Sequence, residues 1–131
     1  MKTTKQMAHV ITRIAQDAGV ALDEVGAHIK IDNPPYLPLC IEVIGRNLVS
    51  VTHYYEQYGD LVPDPDMVFY TGYGVDNGWV PVHYQGNTGY YQVATEIEDG
   101  QVTQFYPRAQ AEQTSFANMW ARNLQEQGFV H

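Results

Sequence analysis

Leu39-Cys40-Ile41-Glu42-Val43-Ile44-Gly45-Arg46-Asn47-Leu48-Val49-Ser50-Val51-Thr52-His53-Tyr54-Tyr55 is the stretch on which the fold turns. Leu39 to Ile44 and Leu48 to Tyr55 are rich in β-branched and aromatic residues, which suit a pleated, half-buried surface. Gly45, Arg46 and Asn47 form a short glycine-containing connection between them, so the two runs predict an antiparallel hairpin.

Downstream, Gly59 to Asp66 contains Pro63 and Pro65, and a segment with two missing donors is excluded as a central strand. Met67 to Tyr73 reads as a further strand, followed by a turn at Asp76, Asn77 and Gly78. Trp79 to Gln85 and Tyr91 to Ile97 are the next two strands, separated by a loop with Gly86, Asn87 and Gly89. Asp99-Gly100 is the strongest hairpin signal in the chain and returns it through Val102 and Phe105. Upstream, Val25, Ala27, Ile29 and Ile31 alternate as a short strand, and Asn33, Pro34, Pro35 and Pro38 impose an extended loop.

The two ends follow a different period. Met7, Val10, Ile11, Ile14, Ala15 and Ala18 recur at helical spacing, with Thr3 or Thr4 as N-cap and Gly19 as the stop. After Pro107, the residues Phe116, Met119, Trp120, Leu124 and Gln127 share a helical stripe, with Thr114 or Ser115 available as a cap. The expectation is a single α+β domain over residues 1–131, with a mainly antiparallel sheet of about five to six strands and an N-terminal and a C-terminal helix. The βαβ alternation of nucleotide-binding sheets is missing, and Gly72 and Gly74 precede no helix, so no cofactor is called for.

With 131 residues, 44% of them hydrophobic, the chain is large enough for one core without metal or disulfide. Its single cysteine, Cys40, sits between Leu39 and Ile41 and reads as a buried packing residue. Met1 to Gln6 is polar and no apolar run reaches the ~18 residues of a membrane span, which predicts a cytoplasmic protein without membrane contact.

The net charge of −8 is unevenly placed. No Lys or Arg falls between Asn47 and Pro107, whereas Glu56, Asp60, Asp64, Asp66, Asp76, Glu96, Glu98 and Asp99 do. These eight acids account for the whole net charge, because the other seven of the fifteen balance the seven bases. Such a chain is a poor partner for double-stranded DNA, whose phosphates demand Lys and Arg, and a better one for a basic protein surface.

Candidate chemistry is sparse. His9, His28, His53, His83 and His131 show no metal-ligand spacing, and His53 and His83 fall in phase with strand residues. Asp60, Asp64 and Asp66 are the most suggestive acids. Extended backbone before Pro65 puts Asp64 and Asp66 on one side of the chain, where they can hold a divalent cation or perform acid–base work with a nearby histidine. The same residues are also ordinary turn and strand-edge chemistry. Ten tyrosines can supply interface rings or, with Arg46 and Arg108 as flanks, a platform for single-stranded nucleic acid. Neither Ser50 nor Ser115 lies in a nucleophile motif. The candidate binding residues are therefore Tyr58, Asp60, Asp64, Asp66, Tyr73, Trp79 and His83.

Three blocks carry a family resemblance: Tyr58-Gly-Asp-Leu-Val-Pro-Asp-Pro-Asp-Met-Val-Phe69, Trp79-Val-Pro-Val-His-Tyr84, and Thr114-Ser-Phe-Ala-Asn-Met-Trp120 through Gln127-Gly-Phe129. They resemble an uncharacterised family of short proteins encoded on bacteriophages, plasmids and integrative elements. The resemblance implies a mobile-element accessory protein and transfers no catalytic residue. Together with the base-free interval it leads to an expected function as a non-enzymatic interaction module, in its sharpest form an anti-defence protein whose acids imitate DNA phosphates. A small metal-dependent enzyme or sensor using Asp60, Asp64 and Asp66, and a single-stranded nucleic-acid binder, are the alternatives.

Overall fold

The computed structural model describes residues 1–130, and His131 lies outside the described residues. The chain runs α1 (Lys5–Ala18), β1 (His28–Ile31), β2 (Leu39–Gly45), β3 (Leu48–Gln57), β4 (Asp60–Tyr70), β5 (Val80–Gln85), β6 (Tyr91–Val93), β7 (Thr95–Glu98), β8 (Gln101–Phe105) and α2 (Pro107–Glu126). The first six strands form one antiparallel meander in sequence order, and β7 with β8 forms a separate two-stranded ribbon. The expected α+β architecture is the observed one.

Pleating sends alternate side chains to opposite faces, and the register fixes which. Ile29, Ile41, Val51, Met67 and Tyr84 are successive cross-strand partners, and this row points at the helices. With Leu39, Val43, Val49 and Phe69 it packs against Met7, Val10, Ile11 and Ile14 of α1 and Ala117, Trp120, Ala121 and Leu124 of α2 in one buried cluster. Each fully buried aliphatic side chain of this kind contributes roughly 1.5–3 kcal/mol. Thr4 caps α1 by accepting from the Met7 N–H at 3.2 Å, and its own hydroxyl donates to Asn118 Oδ1 at 2.6 Å, so the cap also ties α1 to α2. Gly19, at φ 70°, ends the helix where a side chain would be strained.

Several sequence expectations are corrected. Gly59 to Asp66, excluded above as a central strand, holds the end of a turn and then the first half of β4, which starts at Asp60 and pairs with β3 through Tyr54↔Pro63 and Gln57↔Asp60. Partners on its other side begin only at Asp66↔Gln85, so both prolines occupy a stretch with one neighbour, where a missing donor costs no ladder bond. The expected strand Tyr91 to Ile97 is broken at the fully buried Ala94, whose N–H donates to Val82 O at 2.7 Å and whose carbonyl accepts from Tyr106 N at 2.9 Å. The C-terminal helix begins at Pro107 rather than at Thr114, since proline at the first helical position sacrifices nothing. Its buried face is also rotated from the expected stripe: Gln110 and Gln113 are buried, whereas Met119 is 42% exposed. Gln113 is accommodated because its Nε2 donates to Gln92 O at 2.9 Å.

Candidate functional site

The side chains that β1 to β5 turn away from the helices form two rows by register. One is Lys30, Cys40, Thr52, Asp66 and Gln85; the other is His28, Glu42, Ser50, Val68 and His83. Further along, the β7–β8 ribbon closes over this face. Its turn residues Asp99 and Gly100 both have positive φ, and the Gly100 carbonyl accepts from the Tyr70 hydroxyl at 2.9 Å.

The half of the face over β1, β2 and β3 is left uncovered and forms a cavity of about 610 Å³. Cys40, Ser50 and Thr52 make its floor. Leu37 and Pro38 from the loop after β1 stand on one side, and Tyr54, Tyr55 and Leu61 from the β3–β4 hairpin on another. His28, Lys30, Glu42 and Glu56 supply its charged and titratable lining. The volume falls within the range of small-molecule pockets, about 300–1,000 Å³.

A hydrogen-bond network organises the floor. Thr52 Oγ1 donates to Asp66 Oδ1 at 2.8 Å, and Ser50 Oγ donates to the same oxygen at 3.2 Å. Burial raises the Tyr54 phenol above its ordinary range; the Thr52 hydroxyl opposes that rise, and the charges of Asp66 and Glu42 add to it. Burial also raises the Cys40 thiol, with Lys30 pulling the other way and Asp32 and Glu42 adding to the rise. Cys40 is thus half-buried on the open face, not packed in the core, because Leu39 and Ile41 take the alternate positions facing the helices. The thiol is held in its protonated, weakly nucleophilic form.

The residues singled out from sequence are scattered around this site. Asp66 anchors the floor. His83 lies on the same face but packs at a tilt against Tyr91, with ring centroids 5.1 Å apart, and burial lowers its pKa against the opposing pull of Asp66. Asp64 does not join Asp66. Between the pairs Tyr54↔Pro63 and Thr52↔Asp66, β4 carries two residues against one in β3, and the bulge reverses the alternation. Asp64 accepts instead from Asn87 Nδ2 at 3.3 Å and acts electrostatically on His53 and Tyr84 of the helix-facing side. Asp60 is exposed at the start of β4, and Tyr58, 97% exposed, occupies the hairpin turn before it. Tyr73 is half-buried in the loop between β4 and β5. Trp79 is a core residue, 6.0 Å from the Phe69 ring and backbone-paired to Thr4.

Among the described residues, no three His, Cys, Asp or Glu side chains converge in a group able to hold a metal ion. The base-free interval does not make one acidic face either. Glu56 and Asp60 sit by the β3–β4 hairpin, Asp76 is tied to Thr3 near the start of α1, and Glu96, Glu98 and Asp99 lie on the β7–β8 ribbon. No described helix is long and apolar enough to cross a membrane.

The floor and wall residues Cys40, Ser50, Thr52, Tyr54 and Leu61 were not marked as site residues by sequence motifs. For Cys40, Ser50, Thr52 and Tyr54 the signal is parity alone: in β2 and β3 they alternate with the core positions Leu39, Ile41, Val49 and Val51. Residues 9–130 match the family model described as a domain of unknown function (DUF6908). No curated protein and no solved structure matches the chain.

Proposed function

Because the chain belongs to the DUF6908 family, whose function is unknown, we propose from its own geometry that it is a non-enzymatic binding module that receives its partner on the open face of the sheet. The observation that carries this reading is the cavity of about 610 Å³ over β1 to β3, floored by strand residues. A protonated thiol and two hydroxyls already engaged by Asp66 support recognition rather than nucleophilic chemistry. The resemblance of the Tyr58–Phe69, Trp79–Tyr84 and Thr114–Phe129 blocks to short proteins of phages, plasmids and integrative elements supports an accessory role on a mobile element, carried out in the cytoplasm. The dispersal of the acids favours this face over an imitation of DNA as the contact surface.

Cys40, the only cysteine, lines the cavity and serves as a built-in reporter. Fragments of varied chemistry added to the full chain are expected to slow modification of Cys40 by a small thiol reagent, and to shift the amides of Ser50, Thr52 and Tyr54. Fragments that bind only at the β7–β8 ribbon or beside α1, leaving Cys40 unprotected, would refute the reading.

A further inference from the structure

The chemistry of the cavity selects among ligands, and this step rests on the open-face reading above. Thr52 directs its hydroxyl hydrogen to Asp66 Oδ1 at 2.8 Å, and the Ser50 hydrogen is engaged within the same network, by Asp66 Oδ1 or Thr52 Oγ1, each at 3.2 Å. A hydroxyl has one hydrogen and two lone pairs, so with its hydrogen engaged it meets a ligand only as an acceptor. The floor therefore favours a ligand that brings donors. Charge points the same way. Glu42 and Glu56 line the cavity, and Asp66 stands beside its floor as the cross-strand partner of Thr52. Against them stand His28 and Lys30, and the Lys30 ammonium is drawn toward Asp32 at 3.9 Å. Tyr54, Tyr55, Leu37 and Leu61 supply apolar and aromatic surface, and a tyrosine ring face is itself attractive to a cation.

We propose that this cavity binds a small organic cation, an ammonium or guanidinium carried on an apolar body, with the head at the half-buried Ser50 hydroxyl, behind which stand Thr52 and Asp66, and the body between Tyr54, Tyr55 and Leu61. Asp66 is a positioning residue in this arrangement, because it orders the Ser50–Thr52 network whose Ser50 hydroxyl meets the ligand.

The test uses the full chain near neutral pH and three probes of nearly equal size that differ in their head group: 2-phenylethylamine, 2-phenylethanol and 3-phenylpropionate. Amide shifts of Ser50, Thr52 and Tyr54 report the site. The amine is expected to bind at least about tenfold more tightly than either analogue, the scale of one favourable charge contact in a partly screened site. Asp66→Asn keeps an oxygen acceptor for the network and should remove most of the amine's preference over the alcohol. Should Asp66→Asn fail to fold, Glu42→Gln at an exposed lining position repeats the measurement without touching the network. Equal binding of all three probes, or a preference for the carboxylate, overturns the cation assignment and leaves the open-face reading standing. Shifts confined to other surfaces, or none with any probe, overturn both.

Discussion

Trp120→Ala is the perturbation that most directly tests the division of the sheet into a packed and an open face. Trp120 is 5% exposed, with ring centroids 5.5 Å from His53 and 6.1 Å from Phe116. An indole buries up to about 250 Å², and truncation to alanine forfeits roughly 200 Å² of it. At ~25 cal/mol per Å² this is about 5 kcal/mol, reduced somewhat because the unfolded chain already hides part of the ring. A loss of about 3–5 kcal/mol follows, against a total stability of about 5–15 kcal/mol for a domain of this kind. With a urea slope of about 1–3 kcal/mol per M, the unfolding midpoint should fall by roughly 2 M, and Trp120→Phe should recover a good part of that drop. A midpoint for Trp120→Ala within about 0.3 M of the parent protein would refute the packing of α2 on the sheet, since so small a change is expected only of a surface residue.

Two further outcomes follow from single residues. Thr4→Ala removes the α1 cap and leaves Asn118 Oδ1 without its 2.6 Å donor, so a loss of about 2 kcal/mol is expected, and Thr4→Ser should retain most of the stability. Equal midpoints for the alanine and serine variants in urea unfolding would show that the hydroxyl contributes nothing. His53 is held below its ordinary range by burial, against the opposing pull of its Pro38 and Leu37 backbone contacts and of Asp64. The unfolded chain therefore binds that proton more readily, and the stability from neutral His53 is present above about pH 6.5 and lost as pH falls through the lower folded value. Urea midpoints measured across this window should flatten in His53→Phe, leaving the slope from His83, whose pKa is depressed in the same direction; an unchanged slope would contradict the assignment.

The legible part of the fold was the part written as periodicity. α1 follows its helical spacing almost residue for residue, and β2, β3 and the Asp99-Gly100 turn lie where alternation and turn chemistry put them. What escaped has a physical cause in each case. Pro63 and Pro65 were read as excluding a central strand, and the stretch of β4 that holds them does pair on one side only, while the same strand continues from Asp66 with neighbours on both. The start of α2 was hidden because Gln110 and Gln113 fill buried positions, held by partners distant in sequence, with Lys2 N donating to Gln110 Oε1 at 2.7 Å. Asp64 and Asp66 were paired by simple alternation, and one extra residue in β4 sent them to different faces. Of the candidate site, only Asp66 was visible as chemistry. Its partners Ser50 and Thr52 belong to no motif and acquire meaning only when β3 is laid beside β4.

The same register explains why stability and recognition are separable in this protein. Residues that hold the sheet to the helices, such as Ile41, Val51, Met67 and Trp120, point one way, and the cavity residues Cys40, Ser50, Tyr54 and Leu61 do not enter that cluster. The β7–β8 ribbon makes up part of the packing that the open face would otherwise lack: Tyr70 and Val80 are buried on that side, and the Tyr70 hydroxyl is fastened to Gly100. The remaining half can stay uncovered because the helix-facing cluster supplies the stability. Substitutions there escape the cavity cost of a core truncation, with Thr52 as the exception because it is 1% exposed and bonded to Asp66. A sheet built in this way is free to vary its open-face side chains with little loss of folding, and a fixed set there would reflect what it binds.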